Sequence, residues 1–369
     1  YPLFKYPPYS LSLSAKMAEV VEEEKLDILH VHYAMPHAAS AYLAREIVGR
    51  ERVKVITTLH GTDITLVGNH ASFYKITKFS IENSDGITCV SQYLRERTID
   101  IFRIEKELKV IYNFVDTEQY RRNENTWNEV ICSETNFDKA PLKRSTLRRT
   151  ALDVATLGGE TSGSVVKGEE IEKEIKSKNG LGFINKGEKV VIHISNFRPV
   201  KRIDSVVKIF SRISREVNSK LIMVGDGPEV STGRNMVEKL GLKDKVCFLG
   251  RQDNVIPLLA SSDLFLLPST SESFGLSALE AMSCEVPVIG TSNGGLKEVV
   301  EHGKSGFLFD PEDIGSMSEA AIKILSDDKL RARMGLEARK RAKLFDSSII
   351  VPQYIEYYEE ILQSSSNRL

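Results

Sequence analysis

The stretch DLFLLPSTSESFGLSALEAMSCEVPVIG, residues 263–290, contains an apolar run, a polar turn, a helix-like segment and a second apolar run. The two runs, DLFLLPS and VPVIG, are short and are bounded by turn residues, as buried strands are. Parallel strands need a long crossover connection, which is usually a helix. The stretch therefore predicts a strand, a helix and a second strand of one parallel sheet.

The same alternation continues on both sides of this unit. Short apolar runs lie at 27–33, 53–59, 86–90 and 108–113, and again at 189–196, 220–226, 245–250, 263–269 and 286–290. Amphipathic, helix-like segments separate them. This pattern is typical of parallel strands joined by helices. The predicted fold class is therefore α/β, with two doubly wound, Rossmann-like domains.

Length and composition limit the possible functions. The 369 residues, 41% hydrophobic and 27% charged, are typical of a globular protein of about two domains. The net charge of -1 offers no general attraction to nucleic acid or to an anionic membrane. The cysteines lie far apart and form no Cys-x-x-Cys pair, which predicts a reducing cytoplasm and neither a zinc site nor a disulfide framework. No apolar run approaches the length of a membrane span.

The region between the two series differs from the rest of the chain. It is rich in Gly, Ser, Thr, Lys and Glu, and we predict an insert or linker at 127–168. Its basic run KAPLKRSTLRR is interpreted as a solvated loop, with a nucleic-acid or membrane contact as the less favoured alternative. Ile and Tyr at helical spacing predict a terminal helix at 347–362. The predicted domains are 1–122 together with this helix, and 169–346.

A basic turn follows the first apolar run of the second series. Arg198, Lys201 and Arg202 lie there, at the predicted start of a helix. Ligands of open α/β sheets bind at the carboxyl ends of the strands. Cations beside helix N-terminal amides are suited to a diphosphate. The alternative is a set of solvated charges at a helix start.

Two glutamates, Glu272 and Glu280, flank the turn that precedes another predicted helix. The amides of residues 273–276 would lack acceptors at the helix N-terminus and would form a second anion site. Glu272 lies before the turn and Glu280 lies on the helix. We therefore predict that the pair binds hydroxyl groups at two parts of one ligand and is not a close dyad. Without the basic turn, a helix cap and a surface acid would explain the two glutamates equally well.

Weaker signals come from the remaining polar segments. GDGPE, at 225–229, lacks the Gly-x-Gly-x-x-Gly spacing of NAD sites, and a plain turn explains it equally well. His60 directly follows an apolar run and can donate a hydrogen bond or shuttle a proton. His30, His32 and His37 are spaced too loosely for a helix-borne metal pair and are interpreted as core histidines. No metal site is predicted.

In order and spacing, these motifs resemble the retaining glycosyltransferases of the two-domain GT-B architecture. The resemblance rests on SNFRPVKR, VGDGPE and the Glu-x7-Glu motif in the second half, and on FKYPPYSLSLSAKMAEV, LDILHVHYAMPHAASAYLA, TTLHGTDIT and VIYNFVD in the first. It covers residues 1 to about 122 and about 170 to 362. It implies transfer of N-acetylglucosamine from UDP-N-acetylglucosamine to L-malate, as in bacillithiol synthesis, without a metal or another cofactor.

The resemblance also implies roles for individual residues. Lys201 and Arg198 would neutralise the diphosphate, Glu272 would hold the donor sugar, and His60 would contact that sugar near the reacting centre. The donor-binding set is larger: Asn196, Gly225, Asp226, Gly227, Ser273, Phe274, Gly275, Leu276 and Glu280. The acceptor side of the first domain would carry Tyr33, Thr58 and Asn113.

The start of the chain leaves alternatives open. Members of the family carry a strand, a Gly-rich loop and a helix before the position of Tyr1, so a partial first domain is expected. The alternatives are a related glycosyltransferase with another small acceptor, a UDP-sugar 2-epimerase, or a non-catalytic protein that binds UDP-sugars. A homo-oligomer is also left open.

Overall fold

The computed structural model describes residues 8–122, 183–185 and 187–366, and it contains two α/β domains, each built on a parallel sheet. The prediction of two doubly wound domains is confirmed. The predicted insert at 127–168 lies outside the described residues.

The first domain contains a four-stranded sheet in the order β1-β2-β3-β4. Its strands are β1 (Ile28–His32), β2 (Lys54–Leu59), β3 (Gly86–Cys89) and β4 (Lys109–Val110). Its helices are α1 (Tyr9–Glu24), α2 (Ala39–Val48), α3 (Tyr74–Glu82) and α4 (Gln92–Phe102). A kinked turn at Ala34–Ala38, in which Met35 is extended, follows β1, and a short π-helical turn at Thr62–Leu66 follows β2.

The second domain contains a six-stranded sheet. Its strands are β5 (Lys189–Ile194), β6 (Ser219–Val224), β7 (Val246–Gly250), β8 (Leu264–Leu267), β9 (Val288–Thr291) and β10 (Gly306–Phe309). Their spatial order is β10-β9-β8-β5-β6-β7, so the winding reverses between β5 and β8. Such a switch point forms a crevice at the carboxyl ends of the strands, where ligands of this kind of sheet bind.

Helices cover this sheet. They are α5 (Ile203–Glu216), α6 (Val230–Lys239), α7 (Ile256–Ala260), α8 (Leu276–Ser283), α9 (Leu296–Val299), α10 (Ile314–Ser326) and α11 (Asp328–Ala342). Single 3-10 turns lie at Pro199–Lys201 and Lys343–Phe345. All four side chains of β8 are fully buried, because helices cover both faces of a parallel sheet. The strand therefore holds the turn that follows it in a fixed place.

The last helix, α12 (Ser347–Ser366), returns to the first domain. Tyr357 lies in one apolar cluster with Ile56 and Ile111. Its hydroxyl accepts a hydrogen bond from the Ile87 amide at 2.9 Å, which joins the helix to β3. The first domain is therefore built from both ends of the described chain.

Candidate active site

The turns after β5 and β8 meet at the switch point. Lys201 Nζ lies 2.7 Å from Glu272 Oε1, and the Ser269 hydroxyl donates to the same oxygen at 2.5 Å. A backbone bond from the Thr270 amide to the Val200 carbonyl, 2.8 Å long, also joins the two turns. The Glu272 side chain is only 8% exposed, and an ion pair is stronger in such a place than in water. Its Oε2 has no hydrogen-bond partner among the described residues and can accept a ligand hydroxyl.

The three cations of the turn after β5 do not converge on one point. The Arg202 guanidinium donates to the Pro311 carbonyl at 3.0 Å and forms an ion pair with Glu312. Arg198 is partly buried and has no hydrogen bond or ion pair with another described side chain. The expectation that Arg202 joins the anion site is therefore wrong, because Glu312 holds it elsewhere. Lys201 and Arg198 remain the candidates for the cationic site.

The glycines of GDGPE fit the turn after β6 against the turn after β5. Gly225 has a φ of 122°, and a Cβ on it would lie 1.8 Å from the Ser195 carbonyl oxygen. Gly227 has a φ of 154°, and its Cβ would lie 2.2 Å from the Asn196 carbonyl oxygen. Only glycine tolerates both the conformation and the approach. These contacts place Asn196 and Asp226, both exposed, side by side at the mouth of the crevice.

The helix α8 begins at the turn after β8, directly beyond Gly275, whose φ is 97°. The first amides of a helix have no intrahelical acceptor, so those of residues 274–276 can bind a ligand. The ring of Phe274 is buried, with its centroid 6.1 Å from that of Tyr112 and 5.6 Å from that of Phe345. Phe274 can therefore contribute its backbone to the site but not its side chain.

Glu280 and Ser273, the two remaining residues of this segment that were predicted to bind the donor, lie in closely packed surroundings. Glu280 lies on α8 and is 7% exposed. Ser273 touches the first domain, because its carbonyl oxygen accepts a bond of 2.6 Å from the Ser91 hydroxyl. A Cβ on Gly61 would lie only 1.7 Å from the Ser273 hydroxyl oxygen. The turn after β8 and the turn after β2 are therefore in direct contact across the crevice.

Three histidines of the first domain form a row at the ends of β1 and β2. His32 Nδ1 lies 2.8 Å from His60 Nε2, and the rings of His30 and His32 are 4.8 Å apart. Burial, together with neighbouring imidazoles, lowers the pKa of His60 to about 3 and that of His30 to about 4. The row is therefore uncharged at neutral pH, and His60 offers a hydrogen bond rather than a positive charge. His32, interpreted from the sequence as a core histidine, positions His60.

The three residues predicted for the acceptor side occupy different environments. Thr58 is fully buried, and its hydroxyl bonds His30 at 2.7 Å and Thr88 at 2.6 Å. It therefore supports the histidine row from inside the domain and does not line the crevice, contrary to the prediction. Tyr33 has a φ of 75°, and its ring centroid is 4.9 Å from that of His60. Asn113 is partly buried, in the segment after β4.

Asp63 is a site residue that the sequence analysis missed. Its carboxylate accepts bonds from the amides of Ala34 at 2.8 Å, Gly61 at 2.8 Å and His60 at 3.2 Å. The side chain is buried, and burial raises the pKa of Asp63 while these amides oppose the shift. It thereby fixes the turn after β1 to the turn that carries His60. The signal was available in LHGTD, as an acid three positions beyond the histidine.

A metal site and a membrane-spanning helix are both absent from the described residues. No group of three or more His, Cys, Asp or Glu side chains there could hold a metal ion. Among the helices of residues 8–122 and 187–366, none is both long and apolar enough to cross a membrane.

Two parallel-sheet domains with a crevice at a switch point are the architecture of the GT-B glycosyltransferases, and the comparisons with known proteins place the chain in that class. The family model "Glycosyl transferases group 1" matches residues 173–341, and "Glycosyltransferase Family 4" matches residues 1–119. The chain is 42% identical over 368 residues to N-acetyl-alpha-D-glucosaminyl L-malate synthase of Bacillus anthracis, covering 100% of this chain and 83% of the relative. The chain belongs to the glycosyltransferase family of that enzyme.

More distant proteins share the architecture. An uncharacterized glycosyltransferase of Methanocaldococcus jannaschii is 26% identical over 344 residues, which are 93% of this chain and 78% of the relative. The crystal structure of Anabaena Alr3699/HepE in complex with UDP superposes with a TM-score of 0.71 at 22% identity, over 95% of this chain and 82% of that one. At that identity the likeness shows the fold alone.

Proposed function

We propose that this protein transfers N-acetylglucosamine from UDP-N-acetylglucosamine to L-malate. The observation that carries the proposal is the identity of 42%, over the whole chain, to an enzyme named for the product of this reaction. The buried Lys201–Glu272 pair at the switch point supports it, because the pair lies where a sugar nucleotide would bind. A cytoplasmic location and catalysis without a metal ion are parts of the same proposal.

In this proposal the second domain binds the donor. Lys201 and Arg198 neutralise the diphosphate, and the turns with Asn196 and with residues 225–227 enclose it. Glu280 accepts hydrogen bonds from the ribose hydroxyls. The free Oε2 of Glu272 and the amides of residues 274–276 hold the sugar. These amides also favour negative charge, so the departing diphosphate is stabilised on both sides.

The first domain positions the acceptor and the reacting carbon. Tyr33 and Asn113 are the proposed contacts of malate, and Asp63 and His32 fix Tyr33 and His60 from behind. The malate hydroxyl attacks the anomeric carbon on the face that the diphosphate leaves. The bond from that carbon to the diphosphate oxygen breaks, and this oxygen takes the hydroxyl proton. A neutral His60 can approach the electron-poor sugar without adding a repelling charge.

The test is release of UDP from UDP-N-acetylglucosamine with L-malate, D-malate or succinate as acceptor. Release that requires L-malate is the expected result, whereas succinate, which has no hydroxyl group, should be inert. Release only with another hydroxylated acceptor would overturn the malate assignment and leave a related glycosyltransferase. Binding of UDP without release under any condition would favour a protein that binds UDP-sugars without catalysis.

A further inference from the structure

Glu298 of the second domain binds the end of a helix in the first domain. Its Oε2 accepts a hydrogen bond from the Gln92 amide at 2.8 Å, and its Oε1 accepts one from the Tyr93 amide at 2.9 Å. These are the first two residues of α4. Amides at that position have no intrahelical acceptor, and the helix dipole favours a negative charge beside them. A single carboxylate therefore makes two charge-assisted bonds between the domains.

The other amides at this end of α4 are satisfied locally. The Ser91 hydroxyl accepts from the Leu94 amide at 3.0 Å, and the Ser91 carbonyl accepts from the Arg95 amide at 3.1 Å. Among the described residues, only Glu298 serves the first two amides. Without its carboxylate these two part-buried donors would lose their protein acceptor, which costs free energy.

The same helix end contacts the turn at 271–275 that carries the donor-binding amides. The Ser91 hydroxyl donates to the Ser273 carbonyl at 2.6 Å, and the Tyr93 hydroxyl lies 3.2 Å from the Ser271 hydroxyl. With the Gly61 contact already described, first-domain residues touch this turn from two sides. The position of α4 relative to the second domain therefore decides where the turn lies relative to His60.

Glu298 and the turn are also joined inside the second domain. The Gly295 amide donates to the Glu272 carbonyl at 2.7 Å, and a Cβ on Gly295 would lie 2.2 Å from the Ser273 carbonyl oxygen. Gly295 directly precedes α9, the short helix that carries Glu298. The backbone at Gly295 therefore connects the segment that carries Glu298 directly to the turn at 271–275.

We propose that Glu298 is a positioning residue of the glycosyl transfer, which fastens the N-terminus of α4 to the second domain and so holds the turn at 271–275 against the His60 side of the crevice. Its carboxylate also forms a side-chain hydrogen bond with Tyr112 of the first domain. The role assigned to it is to act through these contacts and not on the substrate itself. The inference rests on the proposed function for its kinetic readout, and the contact itself is measurable without turnover.

The first experiment compares Glu298→Ala with Glu301→Gln, whose side chain is exposed and paired with Lys304 in the same segment. We expect kcat for transfer to fall about tenfold in Glu298→Ala, while the Kd for UDP stays within about twofold of wild type. Hydrogen exchange at the Gln92 and Tyr93 amides should become faster. An equal loss of UDP affinity would assign Glu298 a purely structural role and overturn the inference, as would unchanged exchange.

The second experiment removes the contact from the other domain. Gln92 is the first residue of α4, a position that accepts proline readily, so Gln92→Pro deletes the amide donor and keeps the helix. Its reference is Gln92→Ala, which loses the same side chain and keeps the amide. Gln92→Pro should lower kcat relative to this reference, and should add little to Glu298→Ala because both break one contact.

Full additivity of Gln92→Pro and Glu298→Ala would contradict the contact proposed here. If the wild-type protein does not transfer sugar at all, the proposed function fails. The rate of hydrogen exchange at the Gln92 and Tyr93 amides in Glu298→Ala then still decides whether Glu298 binds the N-terminus of α4.

Discussion

The two walls of the crevice differ in charge. The second-domain wall carries the Lys201–Glu272 pair and Arg198. The described first-domain wall presents His60 and His32, whose lowered pKa values keep them neutral at physiological pH. Under the proposed function, charge lies where the diphosphate would gain negative charge on leaving, and neutral side chains lie where the sugar would become electron-poor. Each wall therefore suits a different half of the reacting bond.

Removing charge from the second-domain wall should have the largest effect on kcat. Lys201→Ala removes the proposed diphosphate contact and leaves the buried Glu272 carboxylate without its cation. We expect kcat to fall about 10²- to 10³-fold, the usual cost of losing one preorganised electrostatic group. The measurement is UDP release, with Lys208→Ala, a lysine paired with Asp204 on α5, as the control. Similar losses in both variants would contradict the assigned role of the charged wall.

The shape of the same wall depends on Gly225. Gly225→Ala should lower the free energy of unfolding by about 3 kcal/mol, from a positive φ combined with overlap on the Ser195 carbonyl. Gly241→Ala is the matched control, because Gly241 has a φ of 68° and no atom near its Cβ position. It should cost only about 1 kcal/mol. Urea unfolding measures both, and equal losses would mean that conformation alone, not the contact, requires glycine.

Glu280 tests whether the donor site extends along α8. Glu280→Gln keeps the shape of the side chain and removes its charge, so the Kd for UDP should rise about tenfold. Calorimetric titration with UDP measures this, and Glu319→Gln on the exposed side of α10 is the control. An unchanged Kd would remove the ribose contact from the proposal.

The first-domain wall makes a prediction on the pH dependence of stability. The pKa of His30 is about 4 in the folded protein, below its usual value of 6.5, so the unfolded chain takes up the proton first as the pH falls. The free energy of unfolding should decrease between pH 6.5 and 4, by at most about 1.4 kcal/mol per pH unit for this group. His30→Gln should make that slope shallower in urea unfolding at pH 7, 6 and 5. An identical slope would show that His30 is not kept neutral by the fold.

Most strands could be predicted from apolar runs, and the exceptions lie at sheet edges. The strand β10 was missed because its apolar run is only three residues long, from Phe307 to Phe309, and lies between Gly306 and Asp310. The run at 108–113 predicts a full strand, yet only Lys109–Val110 pair with β3, as β4 has a described neighbour on one side alone. Pairing at an edge depends on tertiary contacts that a local pattern does not contain.

The site residues also divide into those that the sequence predicts and those that depend on tertiary contacts. Lys201 and Glu272 could be brought together from the sequence, because the carboxyl ends of neighbouring parallel strands share one edge of the sheet. Arg202 looked equivalent to Lys201, and only the position of Glu312 separates them. Glu298 could not be found, since its partners lie 205 and 206 positions away in the other domain. Thr58 was misplaced because a strand residue beside the crevice can still face the interior.

The return of α12 to the first domain has a consequence for the order in which the two domains fold during synthesis on the ribosome. Tyr357 lies in the cluster of Ile56 and Ile111, although the whole second domain is translated between these residues and the helix. The domain that emerges first therefore cannot complete its apolar core until the last helix has left the exit tunnel. During that interval the second domain can fold as a unit. Its sheet, although synthesised later, can therefore be complete before α12 covers the sheet of the first domain.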